Sequence, residues 1–296
     1  MLLAREIVEG QGPDPLGERR GGAQPATRGI AEEVSHGSEV CSSGMSEVWS
    51  AGTYERLAAR FAPVQDELVE RLAIQPGERV LDLATGTGEV ARRVARLGAT
   101  VSAIDIAGPM LEKARRSAAE EGLEIGFELG DVEYLPYEDG CFDVLLSNFG
   151  VVFAPDHANV ASELARVACP GARLGFTAWK PNSKLGELYR RFTEEPIEGR
   201  EAYEWGREDH VEDMLGDDFE LEFEDGTLWL EASSGEEIWN LFSESAPPVI
   251  ALLRRLDPER AAQFHEAFVE LYEGYRTESD GVRAPRRYLL VKGTRR

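Results

Sequence analysis

Residues 80–90 read VLDLATGTGEV, a short apolar run that breaks into a loop with two glycines and then resumes in a helical pattern. A run of this kind bounded by glycine fits a strand, a tight turn and a helix start. Gly86-Thr87-Gly88-Glu89-Val90-Ala91 also satisfies the dinucleotide fingerprint G-x-G-x-x-[GA]. What the loop holds is decided by an acidic residue just before it, Asp82.

Outward from this loop the chain alternates. Strands are expected at Arg79–Leu83, Thr100–Ile104, Ile125–Leu129, Phe142–Asn148 and Arg173–Trp179, with helices at Glu89–Leu97, Pro109–Glu120 and His157–Val167. Strands separated by helices of that length pair in parallel, with helices on both faces, which is the doubly wound α/β class. Pro76-Gly77, Leu97-Gly98 and Cys169-Pro170-Gly171 supply the turns. Upstream, Tyr54, Leu57, Ala58 and Phe61, then Val64, Leu68, Val69 and Leu72 after a break at Pro63, read as helices. Beyond Trp179 the rhythm changes. Phe219–Glu224 and Thr227–Leu230 read as extended, Glu236–Phe242, Val249–Leu256 and Glu259–Tyr272 as helices, and Tyr288–Val291 as a closing strand. We therefore expect residues 45–180 to form the ligand-binding core, and residues 181–296 a helical cap and the last strands of the same domain.

Residues 10–44 are rich in Gly and Pro without an apolar period, so residues 1–44 read as a disordered tail, dispensable or belonging to a mis-assigned start. The N-terminus has no apolar h-region, and no stretch suits a bilayer span. Three widely spaced cysteines, Cys41, Cys141 and Cys169, make no zinc pattern or disulfide framework and suit a reducing cytoplasm. No metal site is expected. A net charge of −23 disfavours nucleic acid as a partner, since a phosphate backbone is bound by Lys and Arg.

Electrostatics separates the possible loop ligands. A pyrophosphate wants amide N–H groups and a helix N-terminus, and a carboxylate under the loop repels it. A nucleoside cofactor with cationic groups is helped by the same carboxylate. Asp105 ends the second strand at about the 20-residue separation at which an acidic residue receives ribose hydroxyls. Asp131 follows the third strand, where it is able to accept from an adenine amino group while Val132 packs on the ring. Three acidic residues at three successive strand tips form a set that a lone G-x-G does not.

VLDLATGTGEV, AIDIAGPML, GDVEYLPYEDGCFDVLLSNFG and ELARVACPGARLGFTAW together resemble the successive motifs of class I S-adenosylmethionine-dependent methyltransferases. The likeness is strongest to the small-molecule branch that includes the ubiquinone and menaquinone biosynthesis enzymes (methyltransferase type 11), and it spans roughly residues 49–180. It implies a Rossmann-like, mostly parallel seven-stranded sheet with a helical cap inserted before the last strands. It implies S-adenosylmethionine as cofactor, with Asp82, Ala84, Gly86 and Gly88 along the methionine portion. Asp105 would hold the ribose, Ile106 would pack on adenine, and Asp131 and Val132 would bracket the adenine edge. Asn148 would stand near the sulfonium, and Tyr54 would close over it. Ala84 stands where the family usually has glycine. The reaction implied is in-line methyl transfer to a small-molecule acceptor, apolar or aromatic by the cap's composition. The alternatives are an NAD(P)-dependent oxidoreductase and a non-catalytic binder of the same cofactor.

His157, at the start of the helix after the fourth strand, is the weak candidate for a general base, and Asp156 beside it reads as an N-cap. His210 and His265 show no metal-ligand spacing. Tyr203, Trp205, Trp229 and Trp239 are candidates for an acceptor pocket, with ordinary core packing as the plainer reading. The run Glu208–Asp213 reads as solvated surface.

Overall fold

β1 (Arg79–Leu83) is buried on both faces from Val80 onward, and a strand of that kind needs helices above and below it. A computed structural model describes Ser46, Val48, Trp49 and residues 53–181, 184–193 and 201–296. The tail expected over residues 1–44 lies outside these. In the described residues β1 is joined by β2 (Thr100–Asp105), β3 (Ile125–Leu129), β4 (Phe142–Asn148), β5 (Ala168–Trp179), β6 (Phe219–Ala232) and β7 (Val282–Arg295). The sheet has seven strands in the order β3-β2-β1-β4-β5-β7-β6. β1 pairs in parallel with β2 and β4, and only β7 runs against its neighbours β5 and β6. The strand order therefore turns back between β1 and β4, where the loops diverge and a crevice opens beyond the carboxyl ends.

The helices are α1 (Tyr54–Ala58), α2 (Ala62–Leu72), α3 (Glu89–Arg96), α4 (Gly108–Glu120), α5 (His157–Val167), α6 (Lys184–Phe192), α7 (Glu208–Leu215), α8 (Gly235–Ser245), α9 (Pro247–Arg255) and α10 (Pro258–Glu273). Strand side chains alternate between the two faces. Val80, Val101, Ala103, Val144 and Leu146 meet Leu68 and Leu72 of α2 and Val90, Ala91 and Val94 of α3. Leu81, Leu83, Ile104, Leu145 and Phe176 face the other way, onto α5, α7 and Trp205. Phe142 shares that second core through a shift of register between Phe142 and Val144.

α8, α9 and α10 all lie between β6 and β7, so the cap is an insertion in a long antiparallel hairpin. With α1, α6 and the upper ends of β5–β7 it builds a third core rich in rings, among them Trp179, Tyr189, Trp239, Phe242, Phe264 and Phe268.

Several local expectations change. Pro63 opens α2 at its first turn rather than breaking a helix, as suits a residue without an N–H to donate. The two extended pieces after Phe219 are one strand that runs through Gly226. Glu208–Asp213 belongs to α7, which buries Val211 and Leu215 against the sheet; the acidic side is exposed, but the segment is core-forming.

Gly226 stands opposite Tyr288, whose ring lies over it. A methyl group at Gly226 would come within 2.0–2.5 Å of the ring and its hydroxyl. Gly226→Ala is expected to cost about 1–3 kcal/mol, the usual penalty of overpacking. Chemical denaturation measures it, and an unchanged midpoint would show that the ring moves aside freely.

Candidate active site

The site begins where β1 ends. Ala84 turns the chain with φ +51°, followed by Gly86 at +58° and Gly88 at +78°. Left-handed backbone is costless for glycine and strained for alanine, which explains the family's preference for glycine at Ala84. The substitution also has a steric partner: a Cβ on Gly150 would lie 2.6 Å from the Ala84 carbonyl oxygen and 2.7 Å from its Cβ.

Asp105, at the tip of β2, ties the loop down. Its Oδ2 accepts from the Gly86 N–H at 2.7 Å and its Oδ1 from the Ala107 N–H at 2.8 Å. Burial pushes its carboxyl above the usual range, and these amides pull the other way. Each carboxylate oxygen has a further lone pair for a ligand. Asp82 is 1 % exposed and accepts from Thr85 Oγ1 at 2.6 Å. Burial drives its carboxyl up to about 7, opposed by the Thr85 hydrogen bond. Asp131 accepts from the Glu133 N–H at 3.0 Å, so it shapes the turn after β3 as well as facing the cavity.

These residues enclose a cavity of about 330 Å³, within the range of small-molecule sites. Of the expected cofactor residues, Asp82, Ala84 and Gly86 line it from β1 and its loop, Asp105 and Ile106 from β2, Asp131 and Val132 after β3, Asn148 from β4 and Tyr54 from α1. Gly88 is not in the wall. It caps α3, and a Cβ there would lie 3.0 Å from that of Ala114 and 3.4 Å from the Phe127 ring, so its absence lets α3 settle against α4 and β3.

The wall also contains residues that the linear pattern did not mark. Trp49 packs on Phe153 at 4.7 Å between ring centroids and edge-on to Tyr54 at 6.1 Å, closing one side. Phe149, with φ +57°, stacks on Trp179 at 3.8 Å between centroids. Its N–H donates to Thr177 Oγ1 at 3.1 Å, and that hydroxyl donates to Asn148 Oδ1 at 3.0 Å. Gln65, Glu89, Met110, Glu133 and Tyr134 complete the sides. Only strain at Phe149 hints at a site residue after the fact; no sequence signal singles out Trp49 or Gln65.

The lid is held from two directions. Thr53 N–H donates to the Glu244 carbonyl at 2.9 Å, and Arg56 pairs with the Glu244 side chain. Glu55 pairs with Lys113 of α4 at 2.6 Å.

His157 is elsewhere. It lies under α7, its Nδ1 2.9 Å from His210 Nε2 and its ring 5.0 Å from that of Trp205; it does not line the cavity. The helix it opens carries it to the second core, while Asp156 caps that helix by accepting from the Asn159 N–H at 3.0 Å. The aromatic candidates also fall outside the wall. Trp205 and Trp239 are buried in two different cores, Tyr203 packs beside the latter, and Trp229 lies on the edge strand under Arg283. Among the described residues no group of His, Cys, Asp and Glu is arranged to hold a metal ion, and no helix is long and apolar enough to cross a membrane.

The residues fit a nucleoside cofactor bearing positive charge. Five carboxylates, Asp82, Glu89, Asp105, Asp131 and Glu133, line the cavity, and its described wall contains no Lys, Arg or His. A diphosphate would find no counter-charge there. Residues 80–171 match the model of a methyltransferase domain. An uncharacterised protein of Mycobacterium tuberculosis is 32% identical over 260 residues, 84% of this chain and 93% of its own length. The demethylmenaquinone methyltransferase of Thermus thermophilus is 42% identical over 117 residues, 38% of this chain and 53% of that enzyme. The chain belongs to the class I S-adenosylmethionine-dependent methyltransferases. A crystal structure of a putative methyltransferase from Bacillus halodurans shares the fold, with a TM-score of 0.56 at 20% identity over 78% of this chain and 97% of that one. The methyltransferase takes S-adenosylmethionine as its cofactor, and the oxidoreductase reading falls away.

Asp82 gives a test of the site's electrostatics. Its folded pKa of about 7 lies above the ordinary 3.8, so between those values the native state holds more protons than the unfolded one. Stability contributed by the protonated form is present at low pH and lost as pH rises through that window. The stability of the wild type relative to Asp82→Asn should therefore fall from pH 4 to about 7 and flatten above it. Urea denaturation of the ligand-free proteins measures this, and a flat difference would mean that Asp82 titrates normally.

Proposed function

We propose that this methyltransferase acts on a small acceptor that is not an anion and has an apolar or aromatic body. The observation that carries the reading is the composition of the wall: carboxylates on the strand-tip side, the rings of Trp49, Phe149 and Phe153 on the other, and no described cation between them. An acceptor carboxylate or phosphate would be repelled by the acids and find nothing to neutralise it. The name of the Thermus relative, a demethylmenaquinone methyltransferase matched over 117 residues, is consistent with an aromatic acceptor. Residues 45–180 supply the cofactor half in this reading, and residues 181–296 the cap and last strands of the same domain. We place the protein in the cytoplasm and assign it no nucleic-acid or membrane partner.

Held by these residues, S-adenosylmethionine would supply an activated methyl group on a sulfonium, with a neutral thioether as its leaving group. The chain's part is binding and alignment. Asp105 takes the ribose hydroxyls on its remaining lone pairs, Asp131 the adenine amino group, and Ile106 and Val132 the faces of the ring. Ala84, Gly86 and Asn148 border the methionine end, with Asp82 beneath. Tyr54 and Trp49 close the lid and exclude water. Alignment of this kind is worth up to roughly 7–11 kcal/mol in the best intramolecular models, so a wall without histidine is no obstacle. An acceptor hydroxyl or ring carbon then loses its proton through its own acidity or to a wall carboxylate.

Thermal-shift measurement with S-adenosylhomocysteine should raise the melting temperature, while NAD and NADP leave it unchanged. Asp105→Ala should weaken S-adenosylhomocysteine by about 1–3 kcal/mol, the cost of leaving buried hydroxyls unpaired. Unaltered affinity would remove Asp105 from the ribose site.

A further inference from the structure

The cavity wall includes a glutamine whose buried side-chain carbonyl has no hydrogen-bond donor among the described residues. Gln65 is 3 % exposed and lines the cavity from the first turn of α2. Its Nε2 donates to the Ala58 carbonyl at 3.4 Å, which fixes the orientation of the amide, because the flipped form would set two oxygens against each other. Oε1 is then left without a partner. Few buried polar groups in folded proteins are left so, and those that are call for an explanation.

Its place in the fold narrows the donor. Gln65, Leu68 and Leu72 form one buried stripe of α2, on the sheet face that also carries Asp82. At the far end of the stripe Leu72 lies over Gly175 of β5, where a Cβ would meet it at 2.8 Å. Just before the helix, Phe61 packs on Phe149 and Trp179 at 5.5 and 5.7 Å between centroids. Gln65 therefore stands at the tips of β4 and β5, on the opposite side of β1 from the β2 and β3 tips that carry Asp105 and Asp131. The strong donors of the methyl donor are its adenine amino group, its two ribose hydroxyls and its α-ammonium. With the first three directed to Asp131 and Asp105, the ammonium is the one that reaches this end.

The other acceptors there are already partly served: Asp82 Oδ2 takes the Thr85 hydroxyl at 2.6 Å, and Asn148 Oδ1 takes that of Thr177 at 3.0 Å, whereas Gln65 Oε1 has no donor among the described residues. We infer that Gln65 Oε1 accepts a hydrogen bond from the α-ammonium of bound S-adenosylmethionine, which makes Gln65 a positioning residue for the methyl donor. An amide suits the task, because it receives a cation without adding another charge to an acid-lined cavity. The inference rests on the cofactor orientation proposed above.

The test compares two ligands by calorimetric titration. S-Adenosylhomocysteine carries the amino-acid end, and 5′-methylthioadenosine lacks it. Gln65→Met should weaken the first about tenfold, the scale of one hydrogen bond to a charged group, and leave the second unchanged within about twofold. Ligand-free Gln65→Met should melt at or above the wild-type temperature, since the orphaned carbonyl is gone. Gln65→Glu, which keeps an acceptor oxygen, should hold S-adenosylhomocysteine as the wild type does or more tightly. Equal losses for both ligands would overturn the inference in favour of a structural role, and no loss for either would assign the carbonyl to the methyl acceptor instead. Wild-type protein that binds neither nucleoside would overturn the cofactor reading itself, and this inference with it.

Discussion

The site depends on a single carboxylate that joins two strands' loops. Asp105 holds the amide of Gly86 from the loop after β1 and the amide of Ala107 from the start of α4. Without that clamp, the left-handed turn from Ala84 to Gly88 would rest on the bonds of Thr85 to Ile104 and Asp82 and on a backbone that includes a strained alanine. The clamp is strong because it is buried: an ionised acceptor bonded to amides in a medium of low dielectric gains more than it would in water. The same burial raises its pKa and that of Asp82. Loop geometry and site electrostatics are therefore one constraint seen twice.

Ala84 shows how such a constraint spreads. A glycine would relieve its backbone, yet the methyl group is tolerated because the chain opposite it, at Gly150, has none. Gly150 in turn follows Phe149, whose left-handed backbone aims its ring at Trp179 on one side of the cavity. Departures from easy backbone geometry thus face one another across the crevice between β1 and β4. Rigid strands over-determine both, which is the condition under which strain persists in a folded protein.

Much of the core was legible because its information is local. β1, β3, β4 and α5 begin and end where apolar period and turn residues place them, and the acids at the strand tips announce the ligand's charge. The cap was harder. β6 is continuous through Asp225-Gly226 because a ring from β7 fills the gap that glycine leaves, and no pattern within β6 contains that fact. α7 looked like solvent-facing acid because its buried positions are few, Val211 and Leu215. His157 follows the wall residue Pro155 closely along the chain, but its ring packs with Trp205 and His210 in the second core. Trp49 and Gln65 reach the site from segments with no motif, so only the packing of the N-terminal segments over the sheet brings them in. Phe149 sits within a motif beside Asn148 but owes its place to a left-handed backbone that the pattern does not announce.

The placement of charge separates what this cavity tolerates from what it uses. Its wall gathers five carboxylates and no described cation, an arrangement that costs stability through desolvation and mutual repulsion. Part of the cost is relieved internally, since amides and hydroxyls serve Asp82, Asp105, Asp131 and Glu133. What remains favours a ligand that enters carrying positive charge over one that does not. A sulfonium and an ammonium meet that condition at binding, but the sulfur is neutral once the methyl group has gone.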